Sequence, residues 1–224
     1  MSTAEPTPRP LRVDAARNRG RIVEAAQAAF ADGGLEVPLE GVAERAGVGI
    51  ATLYRRFPTR DDLIAACFER RLEEYARAAE EALEAPDGWT GFCGYVEQIC
   101  AMQAADRGLK DVLTRTFPNA KALEANRARG FALFLEVVAR AKAEGRLRPD
   151  FVPEDHVLLL MGNAGVVQGL GEAAPEAWRR YVGLMLDGLR SEAATPLPPP
   201  PRPRQILRAM LHLEGTRKRT RTSR

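Results

Sequence analysis

Between Gly49 and Arg60 the chain concentrates the groups best able to do chemistry: the guanidiniums of Arg55, Arg56 and Arg60, preceded by Gly49, Ile50 and Ala51. A guanidinium is a permanently charged fork of N–H donors, and Arg55 suits either a phosphate or the O6/N7 edge of guanine. Ile50 and Ala51 bring no donor, so contact with thymine methyl groups is the readout open to them. Catalytic chemistry is poorly supplied elsewhere. No nucleophile motif and no Gly-rich phosphate loop is present. The two histidines, His156 and His212, have no carboxylate or thiol at ligand spacing on a shared face. An enzyme is therefore not expected, nor a metal, nor any cofactor. Cys93 and Cys100 share a helix face, but the helical rise between them is about 10 Å, too far for a disulfide. Together with Cys67 they are expected to serve packing, in a reducing compartment.

The arginines need a rigid support, and the flanking sequence supplies one. Pro38 suits the first turn of a short helix whose inner face is Leu39, Val42, Ala43 and Ala46. A second short helix, residues 50–57, turns Leu53 and Phe57 inward, and Pro58 ends it. The joint is Ala46-Gly47-Val48-Gly49, with Gly47 placed where a positive φ is expected. Two short helices joined through glycine form a helix-turn-helix, which lays its second helix in the major groove of DNA. Ahead of it, Ile22, Ala25, Ala26, Ala29 and Phe30 recur at helical spacing until Gly33-Gly34. Behind it, Thr59 and Asp62 form a capping box that opens a long helix over residues 60–83.

Further helices are expected at residues 89–104, 109–115, 120–144, 154–171 and 175–192. No stretch alternates long enough to be a strand, so the fold class is all-α. The expected organisation is a disordered arm over residues 1–14 and a helix-turn-helix domain over 15–60. A helical effector-binding and dimerisation domain follows over 61–194, then a Pro-rich linker and disordered basic tail over 195–224, within which residues 205–213 have the pattern of a short helix. The net charge of +3 hides an asymmetry: +2 over residues 1–60, −6 over 61–194 and +7 over 195–224. Polyanions should be drawn to the ends. The apolar stretch at residues 157–170 is too short and too polar to span a bilayer. With no apolar segment at the N-terminus, a cytoplasmic protein without a membrane partner is expected.

Residues 42–63 read VAERAGVGIATLYRRFPTRDDL. This resembles the core of the TetR/AcrR family, whose usual pattern is AGVS-x-x-TLY-x-x-F followed by a basic residue and an acid. The helix from Arg21 through Phe30 to Gly33-Gly34 looks like that family's first helix. The resemblance implies phosphate contacts at Thr52, Tyr54 and Arg60, and base reading by Gly49, Ile50 and Ala51 in the first turn. Arg55 and Arg56 fill the two positions before the aromatic. Gly49 stands where the family often has serine, and Ile50 where it often has lysine or arginine. The implied protein is a one-component transcriptional regulator, a repressor that binds double-stranded DNA as a homodimer and is released by a small-molecule effector.

The acidic helical body offers surfaces for both remaining tasks. For dimerisation the candidates are Val157 and Met161 on one helix, with Trp178, Tyr181, Val182, Met185, Leu186 and Leu189 on the next. Gly162, Gly165 and Gly169 would let another helix approach closely. For a largely apolar effector the candidate lining is Phe92, Val96, Met102, Phe117, Phe131 and Phe134, with Asn163 and Gln168 as polar groups. The competing reading is a helical interaction module whose basic tail binds RNA or acidic partners.

Overall fold

A computed structural model describes residues 10–114, 117 and 120–212. Ten α-helices run through them: α1 (Pro10–Gly33), α2 (Leu39–Arg45), α3 (Ile50–Arg56), α4 (Arg60–Leu83), α5 (Gly88–Ala105), α6 (Arg107–Thr114), α7 (Lys121–Ala143), α8 (Pro153–Leu170), α9 (Ala177–Leu189) and α10 (Pro203–His212). Among the described residues there is no strand, only an isolated antiparallel bridge between Leu147 and Arg190. The fold is all-α, as the absence of alternating segments implies. Among the described residues no helix is long and apolar enough to cross a membrane.

α4 is the spine. Thr59 caps its first turn: its Oγ1 accepts the Asp62 N–H at 3.1 Å, and its own N–H donates to Asp62 Oδ2 at 2.9 Å. The first half of α4 packs on α1, where Phe30 and Phe68 stack with centroids 6.2 Å apart. Gln27 Nε2 also donates to the Cys67 carbonyl at 2.9 Å. The second half packs on α5 and α7, which form with it the centre of the helical body. Arg140 of α7 ties off the end of α4 by donating to the carbonyls of Leu83 and Ala85. α8 and α9 pair with each other and lie against α5.

Both ends of the chain differ from expectation. α1 begins at Pro10, inside the segment read as an arm, because proline is tolerated in a helix's first turn. Residues 1–9 lie outside the described part. At the other end, Arg148 donates to the Gly188 carbonyl at 3.2 Å and the Thr195 carbonyl at 2.7 Å, fixing the start of the Pro-rich run. That run leads into the short helix expected at residues 205–213, which is not free of the body. α10 packs on α8 with Ile206 and Met210 buried. These residues are four apart and share one helix face, which counting charges alone conceals. The basic residues beyond position 212 lie outside the described part.

Candidate functional site: a helix-turn-helix face and a cavity in the helical body

The turn between α2 and α3 is built as its sequence demands. Gly47 has φ +63°, and Arg21 from α1 lies over the position a Cβ would fill. Val48, half-buried, packs against the core between the helices. Gly49 caps α3 through its backbone, its carbonyl accepting from Thr52 at 2.8 Å and Leu53 at 3.2 Å, without a side-chain cap. Leu53 and Phe57 are buried and hold α3 to the domain. Ala51, Tyr54, Arg55 and Arg56 remain exposed on the other side. Arg55 Nη2 donates to Thr52 Oγ1 at 3.0 Å, so those two groups are presented together. Ile50 is half-buried against the core, which leaves only part of it to meet a base.

Arg60 sits differently from the other arginines. Its Nη1 donates to the Leu35 carbonyl at 2.6 Å and the Val37 carbonyl at 2.9 Å. It braces the α1–α2 loop, so only the remaining guanidinium donors are left for a phosphate. The first helix adds two basic residues that the motif alone did not single out. Arg19 lies 5.4 Å from the Phe57 ring centroid, and Arg21 covers the turn. Their signal in the sequence was only their charge near a helix whose partner was unknown.

The helical body contains a cavity of about 280 Å³ among α4, α6, α7, α8 and α10. Its wall includes Tyr75, Leu113, Phe131, Leu160 and Met210, with Glu124, Arg127 and His156 as the groups able to ionise. Of the eight residues expected to line a pocket, Phe131 borders this cavity. Phe92, Val96 and Phe134 are sealed in the core; Phe92 stacks on Phe134 at 6.1 Å and meets Phe151 edge-on at 5.5 Å. Phe117 is buried beside the cavity wall, its N–H donating to Glu124 Oε1. Met102 is half-buried against the core, and Gln168 is exposed. Asn163 is buried between α5 and α8, donating to the Cys100 carbonyl at 3.2 Å and Gln103 Oε1 at 3.0 Å. Helical periodicity marks which residues point inward but not which inward residues leave space between them.

His156 was not among the expected lining. It is buried among aromatic rings, 4.0 Å from Phe134 and 5.8 Å from Tyr95 between centroids. Burial lowers its pKa to about 3, so the imidazole is neutral at physiological pH. Burial pushes the thiols of Cys67 and Cys100 up to about 12 and that of Cys93 to about 11, as suits packing rather than nucleophilic chemistry. Among the described residues no group of histidines, cysteines or carboxylates is placed to hold a metal.

The expected dimer stripe divides in two. Trp178, Val182 and Leu186 are buried inside the chain, because α9 lies on α5 as well as α8. Leu189, Tyr181, Val157 and Met161 are half-buried. The large apolar side chains left exposed on this pair are Leu158, Leu170, Leu184 and Met185.

Residues 22–67 match the family described as bacterial regulatory proteins, tetR family. Residues 87–191 match the C-terminal domain described as transcriptional regulator SbtR-like. The chain belongs to the TetR family. It is 30% identical over 135 residues to the HTH-type transcriptional repressor KstR of Mycolicibacterium smegmatis. That match covers 59% of this chain and 66% of the repressor. A TetR regulatory protein from Mycobacterium vanbaalenii is 33% identical, covering 81% of this chain and 99% of that one, with a TM-score of 0.47. The TetR-family regulator PfmR from Thermus thermophilus is 21% identical over 75% of this chain and 98% of its own, with a TM-score of 0.57, a likeness of fold. This TetR-family chain is accordingly a transcriptional regulator with a DNA-binding helix-turn-helix.

Proposed function

We propose that this regulator is a repressor that grips a near-palindromic operator as a homodimer and lets go when a small molecule fills the cavity in its helical body. The observation that carries the DNA reading is the two-sidedness of α3. Leu53 and Phe57 are buried while Ala51, Tyr54, Arg55 and Arg56 stand together in solvent. A recognition helix needs one face to fix its angle and the other free for the groove. Tyr54, Thr52 and Arg56 are assigned to phosphate, Arg55 to a base or phosphate, and Ala51 with the exposed part of Ile50 to thymine methyls. Gly49 brings the backbone of the first turn close to the duplex.

For the dimer, the proposed face is the exposed remainder of the α8–α9 pair. Leu158 and Met161 on α8 are continued by Gly165, and Leu184 and Met185 on α9 by Gly188. A Cβ at Gly165 or Gly188 would meet nothing within 4 Å, so a partner helix has room there. The occupant is a second copy of this chain, because one recognition helix per protomer reads a two-fold site only in pairs.

Release by an effector has a mechanical route through α6. Leu113 forms part of the cavity wall. On the same helix, Asp111 accepts the Leu35 N–H, and Gly108 is pressed against Phe30 and Phe68. A Cβ on Gly108 would meet the Phe30 carbonyl oxygen at 3.1 Å, so α6 and α1 are in near-backbone contact. An occupant that pushes Leu113 therefore moves the root of the helix-turn-helix. The competing reading of a free basic tail loses α10, which packs on α8.

Binding-site selection with the purified protein, followed by footprinting and sedimentation, tests the whole reading. The expected result is a two-fold footprint with half-sites separated by about 34 Å or a multiple, bound by a dimer. Sequence-independent binding by a monomer would remove it.

A further inference from the structure

The cavity beneath α10 carries chemistry that narrows what can enter. His156 has only 2% of its surface exposed and lines the cavity, and neither Nδ1 nor Nε2 has a hydrogen-bond partner in the protein. A buried polar group without a partner is costly and rare, and each one in a native fold calls for an explanation. The other rings around it, Tyr95, Phe131 and Phe134, offer faces and edges to the imidazole. The polar part of the wall is balanced in charge: Arg127 Nη2 donates to Glu124 Oε2 at 2.8 Å. A carboxylate or ammonium entering here would bring an unmatched charge among Tyr75, Phe131 and Leu160, at a large desolvation cost. A neutral imidazole presents one donor and one acceptor, and a hydroxyl can answer either. At about 280 Å³ the space is roughly twice a cavity of about 150 Å³ that takes one benzene ring.

We infer that the cavity binds a neutral molecule of one or two rings whose hydroxyl hydrogen-bonds the His156 imidazole. This deepens the effector reading given above and rests on it for its regulatory meaning, but not for the binding itself. The aromatic wall takes the ring system, His156 fixes which end of the ligand carries the hydroxyl, and the Glu124–Arg127 pair excludes net charge. Met210 of α10 closes one side, so the ligand is held between the body and the C-terminal helix.

The test uses the full chain and three probes of equal ring size at pH 7.5: 2-naphthol, naphthalene and 2-naphthoate. Direct binding is followed by ligand or tryptophan fluorescence. The expected order is 2-naphthol at least tenfold tighter than naphthalene, with 2-naphthoate weakest. H156F should bind naphthalene as before and lose the hydroxyl preference to within twofold, while H156Q, which keeps donor and acceptor, should recover part of it. Because H156F could disturb folding, the wild type supplies a second readout. Its imidazole ¹⁵N resonances should shift with 2-naphthol and stay in place with naphthalene. Equal affinity for all three probes, tighter binding of 2-naphthoate, no binding of any probe, or an imidazole unmoved by 2-naphthol would each overturn the proposal. Operator release is measured separately by gel shift. Naphthol binding without release supports the site and removes the effector reading. Operator binding by a protein that takes up no probe overturns the site and leaves the DNA reading standing.

Discussion

The carboxylate of Asp111 accepts the backbone N–H of Leu35 at 3.2 Å, joining α6 to the turn after α1 across 76 positions of chain. The bond is buried, and it links the helix that walls the cavity to the loop on which α2 and α3 depend. Removing the acceptor leaves that contact unmade at a cost of about 1–3 kcal/mol. Asp111→Leu should therefore lower the unfolding midpoint and loosen the helix-turn-helix on the body. Asp111→Asn, which keeps an acceptor oxygen, should lose less. Thermal melts of both variants check the order, and operator binding should weaken more in Asp111→Leu.

Arg60 and Arg56 should separate stability from DNA affinity. Arg60 braces the loop carbonyls of Leu35 and Val37, whereas Arg56 is exposed at the end of α3. Arg60→Ala is expected to cost about 1.5–3 kcal/mol in urea unfolding, as charge-assisted hydrogen bonds do. Arg56→Ala should leave the midpoint within about 0.5 kcal/mol while flattening the salt dependence of DNA binding by roughly one unit per lost phosphate contact. An Arg60→Ala protein of unchanged stability would return Arg60 to a purely phosphate-binding role.

Two neighbouring sets of apolar residues on α9 should respond oppositely. Leu184 and Met185 are exposed and assigned to the partner protomer, whereas Trp178 and Leu186 are buried within the chain. Leu184→Glu with Met185→Glu should give a folded monomer by sedimentation and circular dichroism. Leu186→Ala should instead lower stability by about 2–5 kcal/mol, the range for a buried leucine, with no direct effect on association. A Leu184→Glu/Met185→Glu protein that stays dimeric would move the interface elsewhere.

Acid should weaken the fold through His156. Its folded pKa of about 3 lies below the ordinary value of 6.5, so the unfolded chain binds the proton more readily. The stabilisation is fully present above pH 6.5 and is lost as pH falls from there towards 3, up to about 5 kcal/mol for a shift of this size. Tyr75 and Tyr95, from α4 and α5, stay uncharged in this window because burial raises both. Glu124 and Arg127 of α7 share the cavity wall with His156. His156→Phe should flatten the stability curve between pH 6.5 and 4, as read from urea midpoints; an unchanged slope would show that other groups govern acid sensitivity.

Deleting residues 203–224 should do more than remove charge. Ile206 and Met210 would be lost from α8, and the cavity would open on the Met210 side. The expected loss is about 2 kcal/mol of stability, allowing for the entropy that docking α10 already costs. Binding of 2-naphthol should weaken at least fivefold. Equal probe affinity in the truncated and full chains would show that α10 is not part of the site.

Element types, the helix-turn-helix and its orientation were all legible in the residues. Those features are local: Gly47 sets the turn, Pro58 and Thr59 divide α3 from α4, and the spacing of Leu53 and Phe57 decides which side of α3 faces solvent. Family resemblance in residues 42–63 was legible for the same reason, since the motif is contiguous. Everything that depends on distant segments meeting waited for the fold. Trp178, Val182 and Leu186 formed a plausible stripe for a partner, but periodicity cannot say whether the partner is another chain or α5. Arg60 read as free for phosphate until the fold brought two carbonyls of the α1–α2 loop to it. Aromatics at helical spacing all pointed inward, and of those expected it is Phe131 that borders this cavity. A cavity is what close packing of several helices leaves unfilled, and no single helix encodes it. His156 and Met210 lie 54 residues apart and become neighbours of one cavity only when α10 folds back on α8.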